Sequence, residues 1–393
     1  MSPRRVAVTG IGVVAPCGIG AEVFWDGLLG PARVGAERPV LDFDPEPYFA
    51  NRKESRRTDR FAQFALAAAA MALEEAGELT VDPSRAGVII GTGVGGIQTL
   101  EDQIRLNYEK GPDRVSPFLV PMMMGNAAAA AVSMRYGWQG PCETTVTACA
   151  AGTHSIGNAA RLIRDGRCDA VLAGGSETGL TPTATAGFRN MTALSTSGHS
   201  RPFDVRRDGF VMAEAAGVLV LEEWDTALAR GATIIGEIMG SASTADAHHI
   251  TAPAPGGAGA ITCMELAIAD AGLTTADIVH INAHGTSTPK NDLAEAEAVT
   301  KLFGGTGPLM TSTKGVTGHA LGAAGAIEAA AVLLSMRHRL IPPTAGHEEP
   351  DPEMAPIDLV VGEPRPWEPG PSLSNSFGFG GHNGTLVIGP PPA

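Results

Sequence analysis

Short runs of four to eight apolar residues alternate along the chain with longer, alanine-rich stretches whose apolar positions recur at helical spacing. The runs Val6 to Thr9, Gly87 to Gly91, Ala170 to Gly174, Gly217 to Leu221, Ile278 to Ala283 and Leu386 to Ile388 predict strands. The stretches Arg60 to Gly77, Gly152 to Asp165, Gly259 to Gly272, Leu293 to Phe303 and Leu321 to Arg337 predict helices, several closed by a glycine suited to the residue after the last turn. Strands that are apolar throughout need cover on both faces. The pattern therefore predicts an α/β protein with helices layered on either side of its sheets.

A coarser pattern lies over this one. A strand, a glycine-rich elbow and a small-residue helix occur around TVTACAAGTHSIGNAA and again around TSTKGVTGHALGAAGAIEAAA. This points to an internal duplication, with halves at 1–232 and 233–393. Proline and glycine cluster at Ala252 to Gly259 and again from Pro342 to Pro371, the latter predicting a long surface loop with one short strand, Asp358 to Val361.

Composition narrows the classes. With 393 residues, 44% of them hydrophobic and 18% charged, the chain can bury a large core, which excludes disorder as its main state. Its 42 acidic and 28 basic side chains give a formal charge of −14, the wrong sign for a general binder of nucleic acid or anionic membrane. An anionic partner must meet a local basic patch. No run of eighteen apolar residues is present, and VAVTGIGVV near the start reads as a strand rather than a targeting signal. The five cysteines are odd in number and none stands in a zinc-type CxxC pair, so a reduced, cytoplasmic setting is expected. Adjacent His248 and His249 point apart if extended, and no metal site is predicted. GIGVVAPCGIG and GTGVGG lack the order and the downstream acid of a dinucleotide fingerprint, so no nucleotide cofactor is predicted either.

Chemistry concentrates in four segments. Cys149, in VTACAAGTHSIG, stands where a β-branched run meets a helix of small residues. Helix-terminal N–H groups there would favour a thiolate and bring its pKa down toward neutrality, and small neighbours leave room for a substrate. The plain alternative is a buried, inert cysteine. His284, in INAHGTSTPKND, and His319, in STKGVTGHALGAAGA, each follow an apolar run at the sheet edge where ligands bind in α/β proteins. Lys314 precedes His319 by five residues and Glu328 follows it by nine, so the three could fix one another's protonation and orientation. Asp292 reads first as a cap for the helix LAEAEAV. Between Ser376 and Gly384, four glycines and two phenylalanines predict a specialised loop rather than a regular strand, a candidate oxyanion donor or gate.

Together TACAAGTHSIG, NAHGTSTPKND, STKGVTGHALGAAGAIE and NSFGFGGHNG resemble the β-ketoacyl-acyl carrier protein synthases, specifically the elongating type II enzymes, and FRNMTALST and SRPFDVRRDGFVMAEAAGVLVLEE extend the likeness over nearly the whole chain. The resemblance implies the thiolase fold, two similar halves each with a five-stranded sheet, stacked in five layers (αβαβα), and a homodimer. It implies an acyltransferase without a cofactor, in which Cys149 takes an acyl chain from an acyl carrier protein. His284 and His319 then assist decarboxylation of a malonyl thioester, supported by Lys314 and Glu328. The N–H groups of Cys149 and Phe379 form the oxyanion hole, and Gly378 to Gly381 moves as a gate. Phe188 and Val115 match residues near the acyl pocket, and Thr251, Thr286, Thr288 and Phe377 are expected to line the substrate site.

For the acidic carrier, residues 51–60 hold five basic and two acidic side chains, a net of +3. Arg52, Lys53, Arg56, Arg57 and Arg60, with Arg206 and Arg207, are the expected docking residues. Three relatives of the fold are set apart by residues. A thiolase would need a second cysteine after Cys263, a starter-type synthase would replace one histidine with asparagine, and a silent chain-length factor would lack Cys149. Recruitment to polyketide or other natural-product assembly remains the alternative. Met122 to Met124 are then either core filling or part of an enlarged pocket.

Overall fold

The computed structural model describes residues 4–392. Its main sheet has twelve strands, one of them the short Gly18–Ile19 that folds back on the first, and grows outward from a central antiparallel pair, Val6–Ala15 and Gly236–Ala245, joined over Ala7 with Glu237 and Val8 with Gly236. On one side follow Ala215–Glu223, Ala170–Glu177, Ala86–Gly91 and Cys142–Glu143. On the other follow His382–Gly389, Ser372–Gly378, His280–Asn282, Leu309–Thr311 and Asp358–Leu359. Each side begins with two antiparallel pairings and continues with parallel ones. The two sides are thus joined edge to edge, one of them with an added outer strand at Asp358–Leu359.

Strand side chains alternate between layers, as the two-residue period of a pleat requires. Leu219 and Leu221 join a middle core with helices Ala151–Arg164 and Ala324–His338, whereas Val218 and Val220 join an outer core under helix Arg60–Ala76. Across the weld, Leu386 and Ile388 face the middle, and Val387 faces an outer core with Met264 of helix Ala258–Asp270. Helix, sheet, helix, sheet and helix stack in that order, the layered α/β sandwich that the apolar strands predict. Helix Ala324–His338 is enclosed from Ala324 to Met336, so it shows no polar stripe.

Some boundaries differ from the pattern, for physical reasons. The first strand runs on past Thr9 because Gly10 and Gly12 let a helix backbone lie against it: a Cβ there would stand 2.0 Å from the Ala72 carbonyl oxygen and 1.8 Å from that of Ala68. The final glycine-rich segment is mostly strand after all. Strands Ser372–Gly378 and His382–Gly389 pair, leaving only Phe379 to Gly381 as the turn, with left-handed φ at Gly380 and Gly381. Helices Ile97–Lys110, Ala127–Tyr136 and Pro182–Asn190 carry too few buried apolar positions to announce themselves. Asp292 is not a cap: helix Pro289–Phe303 begins earlier, with Thr288 at its N-cap, and Asp292 is buried inside its first turns. Its carboxylate accepts from the Phe203 N–H at 2.8 Å and from Asn291 at 3.1 Å, tying the segment before Phe203 to this helix.

Candidate active site

Cys149 lies in a 3₁₀ turn, Ala148–Ala150, that runs directly into helix Ala151–Arg164. Ala148 holds φ at 50°, a left-handed conformation that a residue with a Cβ adopts only when its surroundings impose it. Gly378 makes the elbow possible from the other side, since a Cβ there would come within 3.0 Å of the Cys149 nitrogen. The thiol is buried at 5% exposure, and its Sγ stands 3.0 Å from His319 Nε2. Burial pushes the thiol up to about 11, against the opposing pull of the Phe379 and Cys149 N–H groups and the Lys314 charge. The expected lowering toward neutrality is therefore corrected. Desolvation outweighs the helix-terminal donors, and the resting group is a thiol paired with an imidazole.

The two imidazoles come from the far side of the weld. His284 follows strand His280–Asn282, and His319 follows the short helix Lys314–Thr317. Their rings meet edge to face with centroids 5.4 Å apart, and Phe210 and Phe377 pack against His319 and His284 respectively. Burial holds both well below the ordinary histidine range, and the nearby Lys314 charge adds to this, so both are neutral at physiological pH. Neither Nδ1 has a protein partner, which leaves each ring proton free to sit on Nε2.

Lys314 and Glu328 form an ion pair with both side chains 1% exposed, and the Lys314 ammonium also donates to the His284 carbonyl oxygen. Two further carboxylates, missed by the sequence reading, hold the site's backbone. Glu295 accepts the N–H groups of His284 and Gly285, one on each oxygen at 2.8 Å. Glu177, at the end of its strand, accepts from Thr92, Gly93 and Gly322, linking the GTGVGG turn to the turn that follows His319. Burial raises each of them to about 7. The available signal was an acid in an otherwise small or apolar run, GGSETG for one and LAEAEAV for the other.

A cavity of about 290 Å³ opens above these groups. Cys149, His284, His319, Thr251, Thr286, Thr288, Phe377 and Phe379 all line it. Phe188 stands behind the wall, edge to face with Phe210 at 5.5 Å. Val115 does not line this cavity; it closes the 3₁₀ turn Pro112–Arg114. Met122 to Met124 do not line it either, and Met124 is 43% exposed rather than core. Among the described residues, no three His, Cys, Asp or Glu side chains are grouped to hold a metal ion.

Several expected docking residues are occupied. Arg207 is buried and paired with Asp351 at 2.6 Å, Arg60 grips Glu214 while lying over the Phe64 ring, and Arg206 is shared between Asp204 and Glu348. Arg52 pairs with Glu46. Lys53, Arg56 and Arg57 are exposed and make no ion pair among the described residues, Arg57 lying over Phe118 at 4.3 Å. All five cysteines are free, and no described helix is long and apolar enough to cross a membrane.

The chain is similar to known proteins over nearly its whole length. Residues 31–227 match the beta-ketoacyl synthase N-terminal domain, and residues 235–348 match its C-terminal domain. A 3-oxoacyl-[acyl-carrier-protein] synthase 2 of Synechocystis sp. is 45% identical over 415 residues, covering 99% of this chain and 98% of the relative. Among solved structures, the ishigamide ketosynthase/chain length factor superposes with a TM-score of 0.93 at 33% identity, covering all of both chains. A type II PKS ketosynthase in complex with its acyl-carrier protein gives 0.91 at 33% identity, again over both full chains.

Proposed function

The chain belongs to the beta-ketoacyl synthase family, and from that premise we propose that it elongates acyl chains by decarboxylative Claisen condensation with a malonyl thioester on an acyl carrier protein, as in fatty-acid synthesis. The observation that carries this reading is His319 Nε2 at 3.0 Å from Cys149 Sγ, with the His284 ring opposite, on the floor of one cavity.

In the first step Sγ attacks the carbonyl of an acyl thioester. The thiol proton passes to the departing pantetheine sulfur while His319 Nε2–H donates to Sγ, and the N–H groups of Cys149 and Phe379 receive the oxyanion. Because the thiol is protonated at rest, attack and proton transfer are coupled. In the second step the bond from the malonyl α-carbon to its carboxylate breaks and carbon dioxide leaves. The electron pair forms an enolate whose oxygen faces Nε2–H of both neutral rings. The α-carbon then attacks the Cys149 thioester, a carbon–carbon bond forms, and Sγ leaves as a thiolate that takes a proton from solvent to return to the resting thiol. Lys314, Glu328 and Glu295 position His284, and burial, reinforced by the Lys314 charge, keeps both rings from protonating.

The acyl carrier protein is the proposed partner. Its support is the relative solved with such a carrier and the unpaired Lys53, Arg56 and Arg57. A homodimer is supported by the exposed edge strand Cys142–Glu143, whose neighbourhood leaves Met134 78% and Val146 57% exposed. The repeated pairing order about the weld supports reading 1–232 and 233–393 as two halves.

Purified protein should release carbon dioxide from a malonyl carrier and add one acyl group to Cys149 in intact-protein mass spectra; absence of both sinks the reading. A second reading, condensation in polyketide assembly, is favoured by the two ketosynthase structures that match at full length. An acyl-thioester library separates the two by the mass of the group that Cys149 retains.

A further inference from the structure

The cavity floor is neutral apart from its buried ion pair, because its histidines are uncharged and its thiol protonated. The rim is different. Lys290 lines the cavity and is the one lysine or arginine among its lining residues. Lys301 and Lys314 are held by Glu297 and Glu328, whereas Lys290 makes no ion pair among the described residues. The rim's acid, Asp246, gives it no partner, since its carboxylate already accepts from Ala254 N–H at 2.9 Å and from Asn383 Nδ2 at 2.7 Å. Lys290 also sits in the first turn of helix Pro289–Phe303, where a cation opposes the helix field, so it does not serve the helix. Between it and the floor, Thr286 and Thr288 share a hydrogen bond of 2.9 Å and line the same wall.

We propose that Lys290 binds the phosphate at the outer end of the substrate's pantetheine arm, so that the site selects phosphate-bearing thioesters over truncated ones. The inference rests on the condensation reading. A thioester on Cys149's side and an anion on Lys290's side are the two ends of one linear ligand, and the threonine hydroxyls meet its amides in between. An ammonium is a compact point charge suited to a phosphate that arrives and leaves each cycle.

The test compares malonyl thioesters of the carrier protein, of coenzyme A and of phosphate-free pantetheine, using the full-length protein and its K290Q and K290R variants. In K290Q, KM for the carrier and coenzyme A thioesters rises about tenfold with kcat held, and KM for the pantetheine thioester is unchanged. K290R restores most of the loss. Equal effects on all three thioesters, or none on any, overturn the assignment. An effect confined to the carrier overturns it too, because Lys290 would then meet the carrier's own acidic surface. Wild-type protein inactive on all three would instead remove the condensation reading itself, which keeps the two failures apart.

Discussion

Two turns meet across the cavity floor, built alike and loaded differently. Each follows a parallel strand at a matching place on its side of the sheet, Cys142–Glu143 beside Ala86–Gly91 and Leu309–Thr311 beside His280–Asn282. Each carries one left-handed non-glycine residue, Ala148 at φ 50° and Leu321 at φ 45°, and each leads into a middle-layer helix. The first turn presents a thiol and the second an imidazole. The second helix also buries Glu328, where the first buries Thr153, His154 and Ser155. A repeated backbone device thus supplies two aimed positions, and single side chains decide the chemistry at each.

Removing the two loads should have the largest effect. C149A is expected to lower condensation more than about 10³-fold and abolish the acyl adduct, whereas H319A should lose condensation comparably while keeping a thiol that iodoacetamide still labels. Rates from carbon dioxide release and mass spectra from labelling check this. Equal activity in H319A and wild type would break the pairing of the two turns.

Next comes the support found only under the second turn. E328A leaves the Lys314 ammonium buried without its partner and should cost about 3–5 kcal/mol in urea unfolding, while K314M with E328L together should cost clearly less. The two helix starts can then be compared by filling them. A Cβ at Gly325 would stand 2.0 Å from Thr153 Oγ1, and one at Gly152 would stand 2.8 Å from the Ala326 nitrogen. Both G325A and G152A should lose about 1–3 kcal/mol, G325A the more.

The smallest effect is one of pH. With Cys149 pushed up to about 11, its alkylation rate should keep climbing above pH 9, where an ordinary thiol has begun to level off. A plateau below pH 8 would mean that the elbow holds a thiolate.

What the sequence made legible was whatever a local pattern could carry. The apolar strands announced the layers, and the small-residue elbows announced Cys149 and His319, because period and turn chemistry are written within a dozen neighbours. Glu177 and Glu295 were not legible, since their partners lie more than eighty residues away in one case and around a bend in the other. The height of the Cys149 pKa was misjudged for a related reason: the local helix argument favours the anion, but burial is set by Phe379, Leu321 and Phe210 from elsewhere in the chain. Arg207 and Arg60 read as surface charge because the acids that hold them, Asp351 and Glu214, are distant in sequence.

The backbone seam at Ala7 and Val8 has a last consequence. Because nucleophile and imidazoles arrive from opposite sides of a single hydrogen-bonded sheet and share an enclosed helical filling, the protein has no jaw to open. Reactants must thread in and products back out past fixed walls. The wall they pass includes the turn Phe379 to Gly381, anchored where the Ile250 carbonyl accepts the Gly380 N–H at 2.7 Å.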